Sequence, residues 1–529
     1  MFQEIRRKLS TTIMGGAIII GTAQVLSRLL GLLRERLLAS TFGAGNTLDV
    51  YYAAFKIPDF VFNIIVLGAL SSAFVPVFLE YWNKSKEESF KIANSLLNII
   101  LLALLAIGIV VFFFTDLLVP LVAVGFNEEK REMTAQLVKI MYLGILFFGV
   151  SNIVSGILHS FRRFIAFSLA PIMYNLGIIF GIIALVPRFG TSGLAYGVVA
   201  GAFLHLVVQI PSVVKAGFRY RILVDWSLAG VKKIGKLMLP RALGLGVTQI
   251  NQVVITAIAS TLAVGSVAVF NLANNLQYFP ISVFGVSLAL SAFPVFSQAF
   301  TEKNKEKFIL HFSQTFRRIL FLIIPASLII LLLRAQIVRL VLGAGNFNWE
   351  DTILTAQTLG FFSLSLFAQS LIPVLARAFY AFQNTKTPVI ISVISMIANV
   401  IGSLIFVHFW GVYGLALAFS LASFVNMILL LIMLRIEIGE LDDQRIINST
   451  LKIIFLSLLM GLVIQGLKYL IAPQVNMQTF VGVFSQTAGS ILGGLTVYLL
   501  LAALFRFEEV ATMVRMLKKA KNQLWNKAG

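Results

Sequence analysis

Four charged residues lie close together near the start of the chain, inside a segment that is otherwise apolar. The stretch SRLLGLLRER, residues 27–36, contains Arg28, Arg34, Glu35 and Arg36. Arginine presents a planar fork of N–H donors, which binds the oxygens of carboxylates and phosphates two at a time. Charged side chains inside a membrane helix are costly and mark functional sites or paired charges. The stretch therefore predicts anion binding or charge pairing within a membrane protein.

Helical geometry places part of this stretch on one face. Gly21, Gln24, Arg28, Gly31 and Glu35 are separated by 3, 4, 3 and 4 residues, so a helix carries them on the same side. Small and polar residues on one side indicate contact with protein or water rather than lipid. We therefore expect Arg28 to face a cavity. For Arg34 and Arg36, which lie nearer the outer interface, snorkelling to the membrane surface is an equal alternative.

A second group of charges follows in the next apolar segment. Asp49 and Lys56 are seven residues apart and share a helix face. Asp49 has two readings, a helix cap at the outer surface or a group that pairs with cations. Lys56 lies deeper and either pairs with a carboxylate of the first span or faces the cavity.

The second half of the chain carries mostly amides within its apolar segments, together with Arg241 near a helix start. The amides include Gln249 and Asn275. Amides suit hydroxyl, sugar and peptide groups, and interhelical hydrogen bonding is an equal alternative for them. Charge in the first half and neutral polarity in the second would fit an anionic head group with polar appendages.

Composition assigns the chain to the integral membrane proteins. Of 529 residues, 59% are hydrophobic and 12% are charged, and the mean hydropathy is +0.93. We predict an all-α polytopic protein with about fourteen membrane-spanning helices. Cysteine is absent, and no enzyme motif or metal-ligand spacing occurs, so we expect no catalytic residues, no metal and no cofactor. Transport would then depend on the membrane potential, a monovalent cation or the substrate gradient.

The chain repeats itself at an offset of 221 residues. Phe126-Asn127 recurs as Phe347-Asn348, and Gly193-Leu194-Ala195 recurs as Gly414-Leu415-Ala416. Six predicted spans separate the copies, so both copies have one orientation and form a parallel repeat around a central cavity. The predicted organisation is an N-lobe at 1–225 (spans 1–6), a C-lobe at 226–440 (spans 7–12), a pair of spans at 441–508 with a lipid-tail groove, and a basic cytoplasmic tail at 509–529.

Four segments resemble the MurJ (MviN) family of lipid II flippases, in the multidrug/oligosaccharidyl-lipid/polysaccharide exporter superfamily. They are SRLLGLLRERLLASTFGAGNTLDVYYAAFKIPDF, SSAFVPVF, LPRALGLGVTQIN and RAFYAFQNTKTP. The resemblance covers spans 1–12. It implies that the chain moves lipid II, the undecaprenyl-diphosphate-linked peptidoglycan precursor, from the inner to the outer leaflet of a bacterial cytoplasmic membrane by alternating access.

The resemblance also implies site residues. The family's essential arginines of the first span fall on Arg28 and Arg34, and the acid and lysine of the second span on Asp49 and Lys56. Glu35 and Asp49 would pair or gate the cations of the empty cavity. The remaining substrate-binding candidates are Gln24, Arg241, Gln249 and Asn275.

The chain departs from the family pattern at several charged positions. Phe62, Asn63 and Leu67 stand where the family usually has two arginines and a glutamate, and Asn275 and Tyr278 where it often has an arginine and a glutamate. Two alternative functions therefore stay open: a flippase for another polyprenyl-linked glycan, or a small-solute or drug antiporter of the same superfamily. A third reading is a membrane scaffold for cell-wall enzymes. The expected partners are lipid II, membrane lipids and cell-wall synthesis proteins, with a monomeric chain and no nucleic acid.

The distribution of basic residues predicts that both termini are cytoplasmic. With this orientation the inner segments carry 28 Lys and Arg residues and the outer loops carry 5, as the positive-inside rule requires; the same bias explains the net charge of +20. A single cysteine introduced at Gln3 or Trp525 should stay unlabelled by an impermeant maleimide in intact cells. Labelling from outside would contradict the topology.

Overall fold

The computed structural model describes residues 13–67 and 73–510. Regular structure within these ranges is helical, and no strand is assigned there. This confirms the predicted all-α class. Residues 1–12 and 511–529 lie outside the described residues, and with them the basic N-terminus and most of the predicted tail at 509–529.

The chain divides into two compact units. The first comprises Met1–Val269 and Ala344–Asn348, and the second comprises Phe270–Gly343 and Trp349–Gly529. This division differs from the boundary predicted at residue 225, because the segment 226–269 clusters with the first unit. The arrangement of two six-helix lobes stays a prediction.

The first unit contains eleven α-helices and two π-helical segments within its described residues, and a twelfth helix begins in it. The α-helices are α1 (Ile13–Phe42), α2 (Asn46–Ala54), α3 (Lys56–Val61), α4 (Val75–Trp82), α5 (Lys86–Val122), α6 (Glu128–Ser160), α7 (Phe164–Phe180), α8 (Val186–Phe189), α9 (Ser192–Val207), α10 (Ile210–Lys215), α11 (Ala229–Ser260) and α12 (Ser266–Pro280), which continues into the second unit. The π-helical segments are Phe62–Leu67 and Gly181–Leu185.

The second unit continues with helices of similar length. They are α13 (Ser287–Thr301), α14 (Lys305–Val341), α15 (Trp349–Ser363), α16 (Leu366–Ala381), α17 (Lys386–Ile438), α18 (Asp443–Ile471) and α19 (Phe480–Leu504), with a π-helical segment at Ile281–Val286 and a 3₁₀ turn at Ala472–Gln474.

Many of these helices are long and apolar enough to cross a membrane. Eleven meet this test among the described residues, and twelve if the bent pair α15 and α16 counts as one span. The chain is therefore a multi-pass membrane protein. The helix α17 is broken at Gly411, where φ is 55° and ψ is −133°, so it consists of two helices joined end to end.

The internal repeat is visible in the backbone. The helices α5 and α14 both have 37 residues, and each starts after a polar cap, since Ser85 accepts from the Glu88 N–H and Asn304 accepts from the Lys307 N–H. Gly190 and Gly411 also share an unusual conformation, with φ of 57° and 55°. The sequence offset of 221 residues thus corresponds to a repeated local structure.

Glycines allow α7 and α9 to approach closely in the first unit. A Cβ on Gly177 would lie 2.2 Å from the Cα of Gly201, and a Cβ on Gly197 would lie 2.7 Å from the Cα of Gly181. Both distances are too short for any side chain. Small residues at a four-residue spacing are a common basis of helix association in membranes.

In the second unit, buried charges attach the end of the last helix to α14. The Arg317 guanidinium donates to Glu508 at 3.1 Å and to Glu509 at 3.2 Å, and the side chains of Arg317 and Glu509 are 5% and 6% exposed. Arg445 also bonds Glu508. At mid-length, the Tyr498 hydroxyl donates to the Phe321 carbonyl at 2.9 Å. The helices α18 and α19 are therefore integral to this unit.

Replacing Gly197 with alanine should destabilise the protein by about 1–3 kcal/mol, because overpacking forces the two backbones apart. The matched control is Gly466→Ala, whose added methyl group would have no neighbour within 4 Å. Helix propensity favours alanine at both positions. The thermal unfolding midpoint of each purified variant in detergent measures the difference, and equal midpoints would contradict the packing.

Candidate functional site

Arg34 is held by two side chains from different helices of the first unit. Its Nη2 donates to Glu35 Oε1 at 2.5 Å and its Nη1 donates to Asn175 Oδ1 at 3.2 Å. The second Glu35 oxygen accepts from the Tyr52 hydroxyl. The side chains of Arg34 and Glu35 are 22% and 5% exposed. These contacts show that the snorkelling alternative for Arg34 is wrong, because its head group lies within the helix packing.

Asn175 links this arginine to the backbone of α1. Its Nδ2 donates to the Ser27 carbonyl and hydroxyl, both at 3.2 Å, and to the Pro171 carbonyl at 3.0 Å. The amide orientation therefore fixes Oδ1 toward Arg34. The Nε of Arg34 is buried and has no hydrogen-bond partner among the described residues. One donor of the guanidinium is thus available to a further acceptor.

The charged cluster extends from α1 to α3. The charges of Arg34, Glu35 and Asp59 all act on the Tyr174 hydroxyl, and Asp59 also interacts with Lys56 one turn earlier. Lys56 was expected to pair with a carboxylate of the first span or to face a cavity. The carboxylate whose charge acts on it is Asp59, in its own span, whereas Glu35 is bonded to Arg34 and Tyr52.

The other predicted residues of α1 have a different environment. Gln24 and Arg28 are exposed, Gly31 is half-buried and Glu35 is buried. The face predicted from the spacing therefore changes from exposed to buried along the helix. The substrate-binding roles of Gln24 and Arg28 stay predictions.

Asp49 lies in a separate cluster, at the end of the first unit where α2 starts. Its carboxylate accepts from the backbone N–H of Gly265 at 2.8 Å and of Ala268 at 3.0 Å, and from Lys130 Nζ at 3.0 Å. The cap of its own helix is Gly45. The expectation that Asp49 caps α2 is therefore wrong, and the carboxylate instead binds the first turn of α12.

The backbones around Asp49 are in close contact. Gly265 has a φ of +90°, and a Cβ there would lie 1.9 Å from the Ala44 carbonyl oxygen. Gly345 has a φ of +56°, and a Cβ there would lie 2.3 Å from the Ser40 carbonyl oxygen; the neighbouring Asn346 N–H donates to the same oxygen at 2.8 Å. This end of the first unit is thus closed by direct contacts between loops.

The predicted residues of α11 and α12 are not part of these clusters. Arg241 and Asn275 are exposed, and Gln249 is half-buried. In the second unit, Gln277 accepts from Gln369 Nε2 at 3.0 Å and donates to Asn274 Oδ1 at 2.9 Å. At least Gln277 therefore serves interhelical hydrogen bonding, the alternative considered for the amides. The binding roles of Arg241, Gln249 and Asn275 stay predictions.

Three residues of these clusters were missed by reasoning from the sequence. Asn175 and Tyr52 complete the Arg34 cluster, and Lys130 had been counted only as an outer-loop cation. An asparagine in the apolar segment FIAFSLAPIMYNLGIIF could have been found by inspecting every polar residue within a span. No group of His, Cys, Asp or Glu in residues 13–67 and 73–510 could hold a metal ion.

Comparison with known proteins identifies the family. A family model described as lipid II flippase MurJ matches residues 38–504. The chain belongs to the MurJ family. The probable lipid II flippase MurJ of Vibrio cholerae is 31% identical over 435 residues, which are 80% of this chain and 83% of that protein. The resemblance found from sequence motifs is therefore confirmed.

Solved structures agree with this assignment. A lipid II flippase MurJ in an inward closed conformation aligns with a TM-score of 0.78 and 29% identity, covering 92% of this chain and 98% of that one. An inward-facing multidrug resistance MATE transporter of the MOP superfamily aligns with a TM-score of 0.68 and 17% identity, covering 81% of this chain and 99% of that one. The second match shows the fold alone.

Asp49→Ala should open the closed end of the first unit. The change leaves two backbone N–H groups and the Lys130 ammonium, 13% exposed, without their acceptor, at a cost of about 3–5 kcal/mol for a broken buried pair. The substitution Ala44→Cys places a thiol at a position that is 7% exposed. The rate at which an impermeant maleimide labels this thiol reports the opening.

The control for this experiment is Asp116→Ala. Its carboxylate is 76% exposed and lies 3.9 Å from Lys139 Nζ, so its loss should leave the labelling rate at position 44 unchanged. Equal rates in the Asp49→Ala and Asp116→Ala backgrounds would show that Asp49 does not hold this end closed.

Proposed function

We propose that this protein is a lipid II flippase, which transfers the undecaprenyl-diphosphate-linked precursor from the inner to the outer leaflet for peptidoglycan synthesis. The observation that carries the proposal is the match of the MurJ family model over residues 38–504. The family is one of transporters, so the chain is not an enzyme. The solved flippase covers 92% of this chain, against 81% for the MATE transporter, which favours the lipid cargo over a small solute or drug.

The Arg34 cluster supplies chemistry that suits a diphosphate. A guanidinium binds phosphate oxygens through parallel N–H donors, and the Arg34 Nε is a buried donor with no partner among the described residues. Glu35 and Asn175 fix the plane of the fork. We propose that Arg34 binds the diphosphate together with Arg28, and that Lys56 and Arg241 assist.

Glu35 gives this site a resting state. Without cargo, Glu35 neutralises Arg34, since an unpaired cation in a membrane protein is costly. When a diphosphate arrives it competes with Glu35 for the guanidinium, and Tyr52 remains as a hydrogen-bond donor for the displaced carboxylate. The Arg34–Glu35 pair therefore weakens in the loaded protein, and cargo release restores it.

The proposed topology has fourteen spans in the bacterial cytoplasmic membrane, with both termini inside. Eleven helices and the bent pair give twelve spans, the break at Gly411 divides α17 into two, and α1 adds one more with its 30 residues. Transport by alternating access is driven by the membrane potential or a monovalent cation. The partners are lipid II, membrane lipids and cell-wall synthesis proteins, and the protein acts as a monomer.

Complementation of a strain depleted of its lipid II flippase tests the function. Arg34→Ala and Arg28→Ala should abolish lipid II translocation at normal protein abundance, and the lysine variants should restore it only in part, because an ammonium lacks the planar fork. Asn275→Ala should be milder, with a loss of about 0.5–1.5 kcal/mol as for a neutral hydrogen bond. Outer-leaflet lipid II is the measured quantity.

Arg188→Ala is the control, because Arg188 is exposed and lies in neither cluster. It should translocate lipid II as the unmodified protein does. Full activity of the double variant Arg28→Ala/Arg34→Ala would contradict the assigned site, and failure of the unmodified protein to complement would contradict the function.

A further inference from the structure

Two cations meet at a break in α14 of the second unit, far from the Arg34 cluster in sequence. The helix is interrupted at Leu333, where φ is −110° and ψ is 17°. Arg334 Nη1 donates to the Leu331 carbonyl at 2.7 Å, and Lys468 Nζ of α18 donates to the adjacent Leu332 carbonyl at 3.4 Å. Both side chains are half-buried, and the Arg334 charge acts on the Lys468 ammonium.

No carboxylate of the described residues lies within 4 Å of either cation. The only acids in α14 and α18 are Glu306 and Asp443, at the opposite ends of these helices, and α19 contains none. Glu350 and Asp351 open α15, but Arg334 meets that helix at Gly360, nine residues or about 13 Å further along. The two positive charges are therefore not balanced from within this end of the unit.

Amide groups surround the same place. Gln486 Nε2 donates to the Lys468 carbonyl at 2.8 Å, and Gln336 Nε2 donates to Gln486 Oε1 at 3.4 Å. Gln465, one turn before Lys468, has a buried Oε1 without a hydrogen-bond partner among the described residues. A guanidinium has five N–H donors and an ammonium has three, so the two backbone carbonyls occupy only a small part of their donor capacity.

We propose that Arg334 and Lys468 bind the phosphate of an anionic lipid headgroup. Two adjacent cations in a membrane helix bundle need an anion, and the phosphates available near the ends of the helices belong to lipids. Lys468 is three residues from the end of α18 and Arg334 is seven from the end of α14, which places them within about 5–11 Å of those ends. Under the proposed topology this is the outer leaflet.

The same chemistry has two sources, bulk anionic phospholipid and the diphosphate of a polyprenyl lipid delivered by the protein. The second source rests on the proposed function and would make this site a station for released cargo beside the C-terminal helix pair. Two probes distinguish the sources: phosphatidylglycerol and undecaprenyl diphosphate, each presented to the full-length protein in phosphatidylcholine nanodiscs.

Native mass spectrometry of the released complexes measures bound lipid. The unmodified protein should retain an anionic probe over phosphatidylcholine, and Arg334→Gln/Lys468→Gln should lower its occupancy at least about tenfold, since hydrogen bonds between charged groups contribute about 1.5–3 kcal/mol each. The control is Arg339→Gln, which removes one positive charge at the same end. Its guanidinium donates to the Gln478 carbonyl and lies over the Trp349 ring, so binding should persist.

A second variant tests the site without removing the cations. Gln465→Glu supplies a nearly isosteric carboxylate one turn from Lys468, and it should displace the lipid anion while the fold is retained. Retention of both probes in Gln465→Glu and in the double variant would overturn the proposal and leave the two cations as donors to the broken helix alone. Competition of undecaprenyl diphosphate by phosphatidylglycerol would assign a general headgroup site, and no competition a cargo site.

Failure of this proposal is distinguishable from failure of the proposed function. Arg34→Ala, which should not translocate lipid II, should still bind the anionic probes at Arg334 and Lys468. Conversely, the double variant at the outer site should keep its Arg34–Glu35 pair.

Discussion

The ion pair between Arg34 and Glu35 sets the condition under which an anion can enter the first unit. Both groups are largely removed from water, and the 2.5 Å contact between them compensates charges that the surrounding apolar helices cannot. Asn175 and Tyr52 bond the two members from neighbouring helices, so the pair also ties α1 to α2 and α7. Any cargo that uses Arg34 must replace Glu35 as its counterion, which couples binding to the packing of three helices.

Asp49 shows the same principle in a different task. Its carboxylate joins a cation from α6 to two backbone N–H groups at the start of α12, where a helix N-terminus favours negative charge. The positive-φ glycines beside it let loop backbones touch. One carboxylate therefore holds a closed end, whereas Glu35 holds an arginine in readiness. The two acids predicted together as charge-pairing residues act in two separate clusters.

The sequence predicted the class of fold well, because twenty-residue apolar segments and a repeated motif depend on local composition alone. The offset of 221 residues reappears in the backbone at Gly190 and Gly411, since a φ near +55° is a local property of glycine. The partners of Arg34 could not be predicted in this way. Asn175 lies 141 residues away, and one sequence without homologues carries no information on that contact. The expected role of Asp49 as a cap was right in chemistry but wrong in partner, because spacing identifies a helix start and not which helix start.

The charges of the first unit bear on how transport is driven. Arg34 and Lys56 are matched by Glu35 and Asp59, so this cluster is neutral before cargo arrives. Asn63, at a position where relatives usually have an arginine, donates to the Asp59 carbonyl at 2.8 Å and adds no charge. A diphosphate entering this unit would therefore meet little surplus positive charge beyond Arg28. Because an uncompensated anion in a low-dielectric site is strongly disfavoured, cargo loading here needs positive charge from outside the cluster. A bound cation or the pull of the membrane potential supplies it, and this requirement is stronger than in a relative that retains the arginines.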